Sequence, residues 1–220
     1  MKKDFNKVMA ALKGIESNLL QVAIYNSFSP RCVIILESDS DNVLDQLEEL
    51  RDFCRKTRLP FPLVVDRQFV LSSLDSYPLE FLDIISSRYQ NLFAKEDVLA
   101  TLTFTTANLR LQMEREVKSK WLLTRLTVLE QNPKPKVLAE TLALSIRAIM
   151  PVLKGLCHLS GRPIPNDPLD LIAQASDVSN LNFGPLGNWL NLEKAELGTI
   201  KSYLGILANL MQYLDSLAND

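Results

Sequence analysis

The hydrophobic pattern of this chain changes period close to residue 105, and that change limits the fold more than any other feature of the sequence. Before it, short apolar or β-branched runs of strand length, Leu20 to Tyr25, Cys32 to Leu36 and Phe61 to Val65, alternate with segments of helical period. Two such segments stand out. Phe5, Val8, Met9, Leu12 and Ile15 predict an amphipathic helix over residues 3 to 18. Val43, Leu44, Leu47, Leu50, Phe53 and Cys54 predict another from Asp41, N-capped by Asp39 or Ser40 and ended before Pro60. Ala100 to Phe104 reads as a last strand. After it only the helical period is left. Residues 106 to 131 form one helix, stopped by the run from Asn132 to Pro135, and residues 137 to 159 a second, with Pro151 inside it freeing the carbonyl of Arg147. A proline-rich break over 161 to 168 leads to a short helix over 169 to 175. The final helix has Leu197, Ile200, Leu204, Leu207, Met211 and Leu214 on one face and Tyr203, Ile206, Leu210 and Tyr213 on a second. The expectation is an α+β protein: a small mixed sheet with flanking helices over residues 1–104, then a C-terminal helical bundle over 105–220, the halves meeting across residues 72 to 99.

With 220 residues, 47% of them hydrophobic, the chain can bury a substantial core. Its net charge of −2 supplies no field for nucleic acid or an anionic membrane. No apolar run approaches the roughly 20 residues of a membrane span, and the opening Met-Lys-Lys-Asp-Phe lacks the apolar segment of a signal peptide. Cytoplasm is the expected compartment. Cys32, Cys54 and Cys157 are scattered, fit no zinc spacing and read as small buried hydrophobes. No glycine lies between Gly14 and Gly155, so the first half has none with which to cradle a phosphate.

The stretch from Ser72 to Leu99 concentrates aromatics, acids and Pro78. Pro78 disfavours helix in the residue before it, and Leu79 to Ile85 then reads as a strand, with Leu79, Phe81, Asp83 and Ile85 on one face and Glu80, Leu82 and Ile84 on the other. Each face carries one carboxylate that needs a partner. Ser73-Leu74-Asp75, Tyr77-Pro78-Leu79-Glu80-Phe81-Leu82-Asp83-Ile84 and Leu109-Arg110-Leu111-Gln112-Met113-Glu114-Arg115-Glu116 resemble motifs of a bacterial family of largely uncharacterised proteins. That family joins a nucleotidyltransferase-like domain of the DNA polymerase beta type to a C-terminal helical bundle. The resemblance covers most of the chain.

In active members of that superfamily, a Gly-Ser turn after the first strand leads to an Asp-x-Asp pair, and the two carboxylates hold the divalent metals that bridge a triphosphate. Here the resemblance puts Asn26-Ser27 at the turn, and Pro30 and Cys32 in place of the two aspartates. Asn tolerates the left-handed turn, but both metal ligands are gone, and Arg31 would repel a cation. Glu37, Asp39 and Asp41 are a substitute acidic cluster, read more simply as a solvated turn and helix cap. Glu80 and Asp83 either survive as a third carboxylate or pair with Arg88 or Arg110. Arg110, Gln112 and Glu114 match the family's helical motif, or else form a salt-bridged helix face. His158, beside Cys157, has no catalytic partners near it in sequence, and Trp121 and Trp189 read as core or interface aromatics.

The expected protein is therefore a catalytically inactive nucleotidyltransferase relative with a ligand- or partner-binding cleft lined by Glu80, Asp83, Arg110, Gln112 and Glu114. Two other readings stay open: an active metal-dependent transferase with relocated carboxylates, and a structural or interaction protein. No cofactor and no metal is expected. The partner is an unknown small ligand or protein, and the two-sided final helix suggests a homodimer.

Overall fold

The computed structural model describes residues 7–26, 30–39, 42–130 and 134–217. Four strands, β1 (Leu19–Tyr25), β2 (Arg31–Leu36), β3 (Leu63–Asp66) and β4 (Gln90–Ala94), form one sheet in the order β3-β2-β1-β4. The sheet is mixed: β1 runs antiparallel to β2 and β4, and β2 parallel to β3. With its helices it makes the protein α+β. Residues cluster into two compact units, one of Met1–Asp75 with Ile84–Thr103, the other of Ser76–Asp83 with Phe104–Asp220. The segment 76–83, which the sequence reading places in the first domain, groups with the later helices.

In the first unit β1 and β2 are buried on both faces, which is why they read as unbroken apolar runs. Pairing of Val22 with Ile34 and Ile24 with Cys32 sets one face, covered by Val8, Leu12 and Ile15 of a 3-10 helix (Val8–Asn18) and by Leu50 and Cys54. The predicted first helix is thus 3-10, and Phe5 lies outside the described residues. The predicted second helix comes in two pieces, α1 (Val43–Gln46) and α2 (Glu48–Thr57); α2 ends on Arg58 in the left-handed region, φ 56°, before Pro60. Its expected cap is corrected. Asp39 donates its backbone N–H to Asp66 Oδ2 at 3.1 Å, Asn42 stands at the N-cap with its Oδ1 accepting from Gln46 Nε2 at 3.3 Å, and Ser40 and Asp41 lie outside the described residues. Asp66 instead caps α3 (Arg67–Ser72), accepting from Phe69 N at 2.6 Å.

Two strand expectations are overturned. Residues 79 to 85 belong to a helix, α4 (Pro78–Ser86), because proline is favoured at the first helical position, where its missing N–H costs nothing. Leu79, Phe81, Leu82 and Ile84 are each buried, and Glu80 and Asp83, three residues apart, share a face rather than opposing one another. Residues 98 to 101 are a 3-10 turn N-capped by Asp97, with an extended Leu102 after it; the last strand is β4, made from the less apolar Gln-Asn-Leu-Phe-Ala.

The second unit contains α5 (Thr106–Glu130), α6 (Pro135–Leu159), α7 (Pro168–Ser179), α8 (Gly184–Trp189) and α9 (Leu197–Ser216). α6 continues through Pro151. It is long and apolar enough to cross a membrane, yet 56% of its apolar window is buried, as in the central helix of a packed protein. Asp167 starts α7 by accepting from Leu169 N and Asp170 N. A chain of buried hydroxyls, Thr124 to Ser145 at 3.0 Å and Ser145 to Tyr203 at 2.8 Å, links α5, α6 and α9. Ile200, Tyr203, Leu207, Leu210 and Leu214, drawn from both apolar faces of α9, are buried, while Leu204, Ile206, Met211 and Tyr213 are half-buried and Leu197 is exposed. Gly155 sits at a close approach of helices: a Cβ there would stand 2.7 Å from Met113 Sδ and 3.1 Å from Leu79 Cδ2, so those side chains would have to shift.

Candidate functional site

The turn after β1 holds the first candidate set. Asn26 adopts φ 60°, the left-handed conformation that asparagine tolerates, while Ser27 lies outside the described residues. Pro30 precedes β2, and Cys32 lies within it at 1% exposure, facing the 3-10 helix among Val22, Ile34 and Leu36. Burial, reinforced by nearby Cys54, pushes the Cys32 thiol up to about 12. A protonated sulfur in an apolar layer is the opposite of the ionised oxygen ligand a hard cation requires. Of the alternative acids, Glu37 pairs with Lys95 at 3.2 Å, Asp39 is exposed, and Asp41 lies outside the described residues. Among the described residues no group of three or more His, Cys, Asp or Glu side chains is placed to share a metal ion.

The second set, Glu80, Asp83, Arg110, Gln112 and Glu114, lies in the second unit and separates into two groups. Gln112, buried on α5, accepts from Leu79 N at 2.7 Å and donates to Glu80 Oε2 at 2.6 Å. It thereby satisfies one of the amides left without a partner in the first turn of α4. One turn further along α4, Asp83 accepts from Lys154 Nζ at 2.7 Å. Lys154 is the partner that the sequence reading passed over in favour of Arg88 and Arg110. A lysine set in the apolar run Pro-Val-Leu-Lys-Gly-Leu-Cys was the available signal, since a buried ammonium needs a counter-charge.

Arg110 makes a separate group. Its Nη1 donates to Glu114 Oε2 at 3.0 Å and to the backbone oxygen of Leu214 at 3.5 Å, near the end of α9 where carbonyls lack helical partners. Lys118 donates to the other oxygen of Glu114 and lies 3.8 Å from Asp215. The bond from Lys118, opposed by burial and aided by Arg110, holds the Glu114 carboxyl below its ordinary value. Arg125, further along α5, stacks over Trp121 at 4.4 Å from the ring centre. His158 is exposed and meets Phe104 edge-on, with ring centres 6.1 Å apart.

The chain matches no family model, no curated protein and no solved structure.

A third polar cluster, in the first unit, was not legible beforehand. Gln21 is wholly buried on β1, donating to Asn91 Oδ1 at 2.8 Å and Asp97 Oδ1 at 2.7 Å while accepting from Leu99 N at 3.1 Å. Tyr89 and Asn91 also donate to Asp97, at 2.7 and 2.9 Å. Burial would raise the Asp97 carboxyl, but the bonds from Tyr89, Asn91, Gln21 and the Ala100 amide outweigh it and keep it low. Burial, with the bond to Asp97, pushes Tyr89 up to about 12. An acid held ionised by several donors, beside a phenol held protonated, has neither a proton to give at neutral pH nor a lone pair poised to take one. The cluster fastens the 3-10 turn to β1 and β4. Its one sequence signal was a glutamine inside an apolar strand.

Proposed function

We propose that this chain is a catalytically inactive nucleotidyltransferase-like protein, a degenerate α/β half followed by a C-terminal helical bundle, which acts in the cytoplasm by binding rather than by nucleotidyl transfer. One observation carries the reading. At a position that the resemblance assigns to a metal-binding aspartate stands Cys32, buried in the sheet and held protonated. A positioned divalent metal provides most of what such enzymes contribute to phosphoryl transfer, so a site without its carboxylates loses the reaction and keeps only its shape. The ion pairs of the second unit favour binding too, since Asp83 is held by Lys154, and Glu114 by Arg110 and Lys118, rather than standing ready as acid or base. Three buried free cysteines fit a reducing compartment. The test is release of pyrophosphate from each nucleoside triphosphate with magnesium or manganese, using alcohols, amines and protein hydroxyls as acceptors. No release above the protein-free rate is expected. Turnover that chelator abolishes would overturn the reading in favour of a transferase with relocated carboxylates.

A further inference from the structure

The second unit holds a cavity of about 450 Å³ between α8 and α9, within the range of small-molecule sites. Trp189 of α8, half-buried, and Ile206 of α9 give it apolar walls, and Asn182, Ser202 and Asn209 give it polar ones. Gly205 lies in the middle of the α9 wall. A Cβ built on Gly205 meets nothing within 4 Å, and its backbone is not left-handed, so neither packing nor conformation asks for glycine there. Glycine inside a helix costs stability relative to alanine. What the missing side chain does is leave the cavity open.

The polar groups of the lining have capacity left. Asn209 and the Trp189 indole make no hydrogen bond among the described residues. Asn182 uses only its Oδ1, accepting from Gly184 N at 3.1 Å, and Ser202 only its proton, donated to Gly198 O at 3.1 Å. None of the lining residues ionises, so a phosphate, carboxylate or amine moved there from water would find no counter-charge. A neutral ligand is left. Ser202 and Asn209 stand two turns, about 10.5 Å, apart along α9, with Gly205 and Ile206 between them. Polar groups thus lie at both ends of the α9 wall and apolar surface in the middle. A nucleobase sets its donor and acceptor side by side on one edge, where a single amide reads both. A sugar carries hydroxyls around its whole rim and apolar C–H bonds on its faces. Each hydroxyl both donates and accepts, which the amide N–H groups, the Asn209 carbonyl and the Ser202 oxygen answer, while an indole packs on the face.

We propose that this cavity binds a neutral sugar, with a pyranose ring against Trp189 and its hydroxyls held by Asn182, Ser202 and Asn209. The site shares no residue with the Glu80 and Arg110 groups and rests on neither nucleotide chemistry nor the loss of catalysis. The experiment is titration of the full isotope-labelled chain with methyl glucoside, methyl galactoside, maltose, cellobiose and lactose, following the side-chain N–H resonances of Trp189 and Asn209. At least one sugar should shift both resonances saturably and leave the Trp121 indole unmoved. Gly205→Leu should melt no lower than wild type, because leucine favours helix and the space is open, yet abolish the shifts by filling the cavity. Asn209→Leu should weaken binding with the melt unchanged. No shift with any of the five sugars overturns the proposal, as does binding that Gly205→Leu leaves intact. Adenosine moving the two resonances where no sugar does overturns it in favour of a base site.

Discussion

Lys154 Nζ stands 2.7 Å from Asp83 Oδ1, joining the middle of α6 to α4 through a lysine side chain only 10% exposed. The pair is asymmetric: Asp83 is 27% exposed and still reaches water, whereas the ammonium has little solvent to turn to. Losing the carboxylate should therefore cost more than losing the lysine. Asp83→Ala is expected to destabilise by about 2–3 kcal/mol, below the full cost of orphaning a deeply buried charge because of the partial exposure. Lys154→Met, which keeps the packing, should cost less, and the double variant should recover part of the loss from Asp83→Ala. Urea denaturation of the four proteins checks this, and strictly additive losses would show that the two groups do not interact.

Gln112 holds both a backbone donor and a side-chain acceptor of α4, so its amide does two jobs at once. Gln112→Leu should lose about 1–3 kcal/mol, the cost of leaving a buried amide without a partner. Hydrogen exchange at Leu79 should speed up specifically, whereas exchange in α9 stays as in wild type.

Glu114 gives the stability a defined acid dependence. Its carboxyl is lower in the folded chain than in the unfolded, so its contribution is complete above the unfolded value of about 4.3 and is lost as pH falls through the lower folded one. Thermal melts below about pH 4.3 should show this loss, and Glu114→Gln should flatten that limb while lowering the melting temperature at neutral pH. An acid limb identical in both proteins would remove Glu114 as its source.

Cys32 should be inert in the native protein. Burial raises all three thiols, Cys157 to about 11, so a disulfide reagent at pH 8 should modify none until denaturant is added, then three. Placing a carboxylate there should not create a metal site: Cys32→Asp puts an uncompensated charge into the sheet core and should cost about 3–5 kcal/mol. A Cys32→Asp protein that is fully stable and binds magnesium would mean that the position opens to solvent.

What could be read from the sequence was whatever the hydrophobic period alone determines. β1 and β2 stood out because both of their faces are buried, and α5, α6 and α9 because their apolar residues recur over four turns or more. α4 was misread because seven apolar-rich residues fit period 2 as well as period 3.6, and Pro78 was weighed for its effect on the preceding residue rather than for its fitness to begin a helix. β4 was missed because only Leu92 and Phe93 of its five residues are large and apolar. At the candidate residues, sequence supplied the side chains but not their partners. Glu80 and Asp83 are answered by Gln112 and Lys154, which lie 32 and 71 residues away and are brought in by packing.

Calorimetric titration of the chain with each nucleoside triphosphate, with and without magnesium, tests most directly the proposal that it holds no metal-assisted triphosphate site. The account predicts no magnesium-dependent heat of nucleotide binding, and the same absence in Cys32→Ser. Tight binding that appears with magnesium and disappears with chelator would contradict it.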